Sequence, residues 1–326
     1  MMQPELRLRP VTRLVRVLVL SALFCLAGAA VAGKPLSIFV SVLPLQTFVD
    51  KVGGDRVETR IMVLPGQSPA TYEPTPKQIA ALADADLYVR VGVPFEDAWM
   101  KRIRSANPDM PVLDLRDGLE LRPMEAHAHD DGSIHGGGDD REHREAGAGE
   151  GDQRRVMDAH VWTSPPLVRQ MTLAIRDTLA RLDAAGADAY AADQAAFDAE
   201  LAALDRELTD LLAPLQRRSF LVYHPAWGYF ADAYDLVQVP IEHEGKAPGA
   251  RRLASLIEQA RAADTRVVFV QPQFDKRAAE RVAMAIGGRV EAVDPLAADY
   301  ADNLRHVARL IAGANGGAGH APPTAD

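Results

Sequence analysis

Two series of short apolar runs, each alternating with amphipathic segments, constrain the fold of this chain more than any other feature. The strand-like runs of the first series are 36–40, 57–63, 87–91 and 111–114, with helical patterns at 44–52, 77–83 and 95–106. Those of the second series are 220–223, 236–241, 266–270 and 289–293, with helical patterns at 225–234, 250–263, 277–286 and 300–311. Such alternation predicts βαβ units and a mostly parallel sheet in each series.

Two further segments with helical periodicity, 167–182 and 187–212, separate the series. The second has few breakers and is long enough to join two domains rigidly, although a plain core helix would show the same pattern. Its apolar residues at helical spacing are Phe197, Leu201, Leu204, Leu208 and Leu211. We therefore predict two parallel-sheet α/β domains joined by one long rigid helix. A ligand would bind in the cleft between them, beyond the carboxyl ends of the strands.

The predicted organisation begins with a signal peptide over residues 1–32. Four arginines precede an apolar stretch, and Ala30-Val31-Ala32 fits the small-residue cleavage rule, so we expect cleavage near Ala32 and a periplasmic protein. A retained anchor is the alternative. The remaining predicted boundaries are an N-terminal domain at 33–166, a helical connector at 167–213, a C-terminal domain at 214–312 and a flexible tail at 313–326.

Cysteine usage and charge restrict the possible ligands and partners. Cys25, the only cysteine, lies in the signal peptide, so any metal site in the mature chain must use histidine, carboxylate or water. The formal charge is −9, and losing four arginines and one glutamate with the signal peptide leaves about −12. This acidity argues against nucleic acid and anionic membranes as partners, and it suits cation capture.

A segment at about 125–155 is rich in glycine, acidic residues and histidine and has almost nothing apolar to bury. It is therefore expected to be disordered. Its histidines are His127, His129, His135 and His143. Histidine-rich tracts are typical of metal collection, whereas the alternative is a solvated surface insertion.

Three polar residues are predicted to follow strands of both series. His160 follows 156–158, His224 follows 220–223, and Asp294 follows 289–293. Two imidazoles and one carboxylate converging on one cleft would suit Zn²⁺ or Mn²⁺. Each residue alone would more often be structural, as a satisfied histidine or a turn-capping aspartate.

Five motifs in order give the chain a family resemblance. They are Pro65-Gly66 with Ser68-Pro69 and residues 72–76 (YEPTP), residues 158–162 (DAHVW), residues 224–230 (HPAWGYF), residues 272–274 (PQF) and residues 294–296 (DPL). With these motifs the chain resembles the solute-binding proteins of zinc and manganese ABC importers, including the ZnuA-like proteins. The resemblance spans nearly the whole mature chain.

The resemblance implies a metal site between two α/β domains, with His160, His224 and Asp294 as ligands. Manganese-binding members tend to carry glutamate where His224 stands, so the imidazole favours Zn²⁺ as the transported ion over Mn²⁺. The family's first-loop histidine is replaced here by Ala70. The fourth ligand stays open among water and six side chains, which are His127, His129, His135, His143, Glu73 and Glu96.

The predicted function is capture of Zn²⁺ in the periplasm and its delivery to an ABC permease with its ATPase subunit, by a monomer that is not an enzyme. The alternatives are a manganese- or iron-binding member of the same family, a metal-dependent adhesin, a zinc hydrolase, or a relative that lost metal binding through Ala70. No HExxH pattern is present to support the hydrolase.

Overall fold

The computed structural model describes residues 34–124, 156–242 and 245–315, which contain two four-stranded parallel sheets. The first sheet has the order β2-β1-β3-β4, and its strands are β1 (Leu36–Val40), β2 (Val57–Ile61), β3 (Leu87–Arg90) and β4 (Val112–Asp114). The second has the order β6-β5-β7-β8, and its strands are β5 (Ser219–Val222), β6 (Val237–Pro240), β7 (Val267–Val270) and β8 (Arg289–Ala292). The two halves therefore share one strand order.

Helices connect the strands and cover the sheets. In the first half they are α1 (Leu43–Gly53), α2 (Pro76–Ala81) and α3 (Pro94–Ala106). The connector contains α4 (Pro165–Leu182) and α5 (Ala187–Leu212). The second half has α6 (Gly228–Ala233), α7 (Ala250–Ala262), α8 (Arg277–Ala285) and α9 (Tyr300–Asn315). Among the described residues, no helix is both long and apolar enough to cross a membrane.

Helices cover both faces of the second sheet, and the strand alternation shows why. Phe220 and Val222 of β5 belong to the large core that continues into the first half. Leu221 and Tyr223 point to the opposite face and join a smaller core with α7 and α8. Successive strand residues face opposite sides, so a strand covered on both faces is apolar throughout.

The 26-residue helix α5 packs against α4, against α1 of the first half and against α9 of the second. The halves also touch directly, because Phe48 of α1 meets Tyr300 of α9 edge-on, with ring centroids 4.9 Å apart. The predicted two-sheet architecture with a long linking helix is confirmed.

Three local predictions are wrong in detail. The helix expected at 225–234 is only Gly228–Ala233, because the backbone N–H of Trp227 donates to the side-chain oxygen of Gln238 (2.8 Å). Residues 156–158 form no sheet strand, since Met157 makes only an isolated bridge to Pro123. The helix predicted at 300–311 is longer, because α9 continues through Asn315, whose buried amide bonds to Ser219 O (3.2 Å).

The signal peptide, the histidine-rich segment and residues 316–326 of the tail lie outside the described residues. The domain boundaries drawn from the sequence therefore stay predictions.

Candidate metal site

His160 lies in the loop between the Pro123–Met157 bridge and α4, and its position is set by Asp158. Asp158 Oδ1 accepts the His160 backbone N–H (2.9 Å) and lies 2.7 Å from His160 Nδ1. The Asp158 side chain is 2% exposed and that of His160 is 13% exposed. A short Asp-x-His segment thus holds its own ring, with one edge of the imidazole against a buried carboxylate.

His224 follows β5 and is held by residues from two neighbouring strand ends. Its Nδ1 lies 2.6 Å from Oε1 of Glu242, a buried residue just beyond β6. Its ring stacks on Phe274, which follows β7, at 5.0 Å between centroids and 23° between planes. Burial lowers the pKa of His224, Glu242 acts to raise it, and the nearby His160 lowers it further.

The two histidines come together although 64 positions separate them in the chain. Their ring centroids are 5.3 Å apart with an interplanar angle of 72°. Because imidazole nitrogen suits borderline cations such as Zn²⁺, this pair has the donor chemistry of a transition-metal site.

Hydrogen bonds from neighbouring residues fasten the His160 loop to the second half. The Trp162 indole N–H donates to Pro295 O (2.8 Å), next to Asp294. The Tyr229 hydroxyl of α6 donates to Asp158 O (3.0 Å) and accepts from Arg122 N (3.0 Å). The histidine pair therefore sits where the two halves are joined.

Asp294 lies near this junction, but its side chain is hydrogen-bonded to residues other than the two histidines. Its Oδ1 accepts from Gln273 Nε2 (3.0 Å) and from Leu296 N (2.9 Å). Within residues 34–124, 156–242 and 245–315, no three histidine, cysteine, aspartate or glutamate side chains are arranged to hold a metal ion. The structure thus unites His160 with His224, and Asp294 as a third ligand stays a prediction.

The candidates for a further ligand fall in three environments. Ala70 and Glu73 are exposed in the loop before α2. Glu96 is fully buried at the start of α3, where its carboxylate accepts from Ser41, Arg90 and the Gly92 N–H, and burial raises its pKa against the opposing effects of Ser41 and Arg90. The histidines of 125–155 lie outside the described residues.

Sequence reasoning missed two functional candidates, Asp158 and Glu242. Asp158 is the first residue of the 158–162 motif, and its spacing to His160 suits a turn in which carboxylate and imidazole meet. Glu242 carried a weaker signal, namely its place after the strand that neighbours β5.

Known proteins match this chain over most of its length. A family model described as ZnuA, the periplasmic zinc-uptake complex component A, matches residues 38–314. The high-affinity zinc uptake system protein ZnuA of Yersinia pestis is 26% identical over 289 residues, covering 87% of this chain and 88% of its own. The manganese-binding lipoprotein MntA of Halalkalibacterium halodurans is 25% identical over 255 residues, covering 76% and 75%. The crystal structure of a zinc-bound ZnuA deletion mutant is 39% identical with a TM-score of 0.76, covering 89% and 100%.

Two parallel-sheet halves joined by a long helix, with an imidazole pair at their junction, define a solute-binding protein for a metal ion. The family match specifies which group of solute-binding proteins this chain belongs to. The chain belongs to the ZnuA family of periplasmic zinc-uptake components. It is thus a metal-binding component of a zinc or manganese ABC importer. Proteins of this family work with an ABC permease and its ATPase subunit, and the family is not one of enzymes. The family resemblance seen in the sequence is confirmed.

Proposed function

We propose that this protein captures Zn²⁺ in the periplasm and hands it to the permease of an ABC importer. The observation that carries the proposal is the imidazole pair His160–His224, with ring centroids 5.3 Å apart at the junction of the halves. Nitrogen donors favour Zn²⁺ over Mn²⁺, which prefers carboxylate, carbonyl and water oxygens. The zinc-uptake relatives support the same ion.

Zinc usually takes four ligands, so the His160–His224 pair needs two further ligands. We propose Asp294 as the third ligand, because Pro295 beside it bonds to Trp162, two residues from His160. A fourth ligand would come from water, from a histidine of 125–155, or from Glu73. Glu96 would first have to give up its bonds to Ser41, Arg90 and Gly92.

Manganese is the second candidate cargo, because a manganese-binding relative is 25% identical to this chain. The proposal also includes a signal peptide cut near Ala32 and a monomeric mature protein. N-terminal sequencing and light scattering of the exported protein test those two points.

His224→Ala tests the proposal, because it removes one of the two paired imidazoles. We expect zinc affinity, measured by competition with a chromophoric chelator, to fall more than roughly tenfold, since fewer protein ligands remain. His306→Ala is the matched control, as it removes an exposed imidazole from α9 and is expected to leave affinity unchanged. Equal affinities of wild type and His224→Ala would exclude this site. Tighter binding of Mn²⁺ than Zn²⁺ by the wild type would make manganese the cargo.

A further inference from the structure

Each histidine of the pair has its Nδ1 against a buried carboxylate. The distance is 2.7 Å from His160 Nδ1 to Asp158 Oδ1 and 2.6 Å from His224 Nδ1 to Glu242 Oε1. Both carboxylate side chains are only 2% exposed. The same contact therefore occurs twice, once within a short loop of the first half and once between two strand ends of the second.

An ionised carboxylate can only accept hydrogen bonds, so the imidazole nitrogen facing it must carry the proton. In a neutral imidazole the other nitrogen, Nε2, then holds the free lone pair that a metal ion needs. Nδ1 and Nε2 lie on different sides of the ring, so each carboxylate lies away from the metal-binding nitrogen of the ring it contacts.

We propose that Asp158 and Glu242 are positioning residues for cation capture, which hold His160 and His224 as Nδ1–H tautomers and present both Nε2 atoms to one ion. This inference rests on the proposed metal-binding function, and it assigns roles to two residues that bind no metal themselves. Carboxylates hydrogen-bonded to metal-ligating histidines fix the ring orientation and raise the basicity of the ligand.

The burial of Glu242 supports a role beyond packing. Its Oε2 has no hydrogen-bond partner among the described residues, although the side chain is 2% exposed. A buried, half-satisfied carboxylate costs stability, and an apolar residue would avoid that cost. Its negative charge becomes favourable when a divalent cation binds to the imidazole it contacts.

The two carboxylate–histidine contacts differ in how they are built. Asp158 also accepts the His160 backbone N–H, so a three-residue segment holds carboxylate and ring together. Glu242 reaches His224 from the adjacent strand, while Phe274 stacks on the ring and restricts its plane. His224 therefore depends on residues from three strand ends, and replacing Glu242 should disturb His224 alone.

The tautomers can be read directly from the metal-free protein. We would label histidine with ¹⁵N, remove metal with a chelator, and record long-range ¹H–¹⁵N correlations of the full mature chain at neutral pH. His160→Gln and His224→Gln spectra assign the two rings. We expect the Nδ1–H pattern for both, and an Nε2–H pattern in either ring of the wild type would overturn the proposal for that ring.

Two isosteric variants, Glu242→Gln and Asp158→Asn, test whether the carboxylates set the tautomers of the two histidines. Each amide can donate to Nδ1, so we expect the ring it contacts to shift toward the Nε2–H tautomer and the other ring to keep its pattern. Zinc affinity should fall by about 10–100-fold, the usual effect of removing such a partner. Asp198→Asn is the control, because Asp198 bonds to Arg169 and contacts neither histidine.

The outcomes separate this inference from the proposed function. A wild-type protein that binds no zinc would overturn the proposed function, and this inference with it. Zinc binding with the tautomer and the affinity unchanged in Glu242→Gln and Asp158→Asn would overturn only the positioning role. A tautomer shift confined to the contacted ring, together with weakened zinc binding, would establish it.

Discussion

His224 shows how strongly the surroundings of one residue set its chemistry. Burial lowers its pKa, and the opposing effect of Glu242 does not cancel that shift. A lower pKa favours the uncharged ring, which is the form that ligates metal. At the residue scale, His224 is therefore prepared for a cation by its environment as well as by its residue type.

Ala70 is the residue at which this chain departs from the family pattern. Its loop is held in place, because Phe95 N donates to Pro69 O (3.1 Å) and the Tyr72 ring packs edge-on against Phe95 at 5.4 Å. A histidine placed here would project from an ordered position. We expect Ala70→His to raise zinc affinity at least about tenfold by supplying another imidazole ligand.

Chelator competition measures this gain, with Ala203→His as the control because it adds an imidazole to an exposed position of α5. If Ala70→His binds zinc no more tightly than the wild type, position 70 does not face the bound ion.

At the scale of elements, the carboxyl ends of the second sheet collect the polar groups of the site. Glu242 follows β6, His224 follows β5, Gln273 follows β7 and Asp294 follows β8. Parallel strands end at one edge, so four residues distant in sequence become neighbours. This edge lies opposite the His160 loop, which bonds to it through Trp162.

Asp183, at the end of α4, joins three elements. Its Oδ2 accepts from Arg56 Nε (2.8 Å) and from the Tyr190 hydroxyl of α5 (2.8 Å). These bonds to Tyr190 and Arg56 lower the pKa of Asp183 below its ordinary value of 3.8. A carboxyl group with a lowered pKa stabilises the fold at pH values above its ordinary pKa. That stabilisation is lost as the pH falls through the folded-state pKa.

We therefore expect Asp183→Asn to lower the free energy of unfolding by about 1 kcal/mol at neutral pH. The difference in unfolding free energy between Asp183→Asn and the wild type should shrink below about pH 4. In that range the wild-type Asp183 carboxyl becomes protonated in the unfolded chain. Urea unfolding between about pH 3 and pH 7 measures both effects. Asp109→Asn, in the exposed turn after α3, should follow the wild-type curve, and a pH-independent difference for Asp183→Asn would contradict the argument.

At the scale of the whole molecule, the histidine-rich segment leaves and re-enters the fold at one place. Met124 N donates to Val156 O (2.8 Å) and Asp158 N donates to Arg122 O (2.9 Å). The two ends of 125–155 are therefore adjacent, and a short turn can join them with little strain. The junction lies two residues before Asp158.

Deleting 125–155 and closing the gap with Asn-Gly should leave the unfolding free energy nearly unchanged. The number of zinc ions bound should fall, because four histidines are removed. We also expect the tight site to weaken, since a tethered histidine meets the ion at high local concentration. Isothermal titration measures the stoichiometry, and chelator competition measures the tight affinity. An unchanged stoichiometry would contradict a collecting role, and an unchanged tight affinity would make water or a carboxylate the fourth ligand.

Periodicity and contiguous motifs are local properties of the chain, so they predicted the two series of parallel strands, the 187–212 helix and the family before any coordinates were known. The sequence also named His160 and His224. The folded chain was needed to show that these rings lie 5.3 Å apart, that Asp158 and Glu242 contact them, and that Gln273 donates to Asp294. Those contacts depend on strand order and on the docking of one half against the other, and such long-range pairings leave no periodic pattern in the residues that make them.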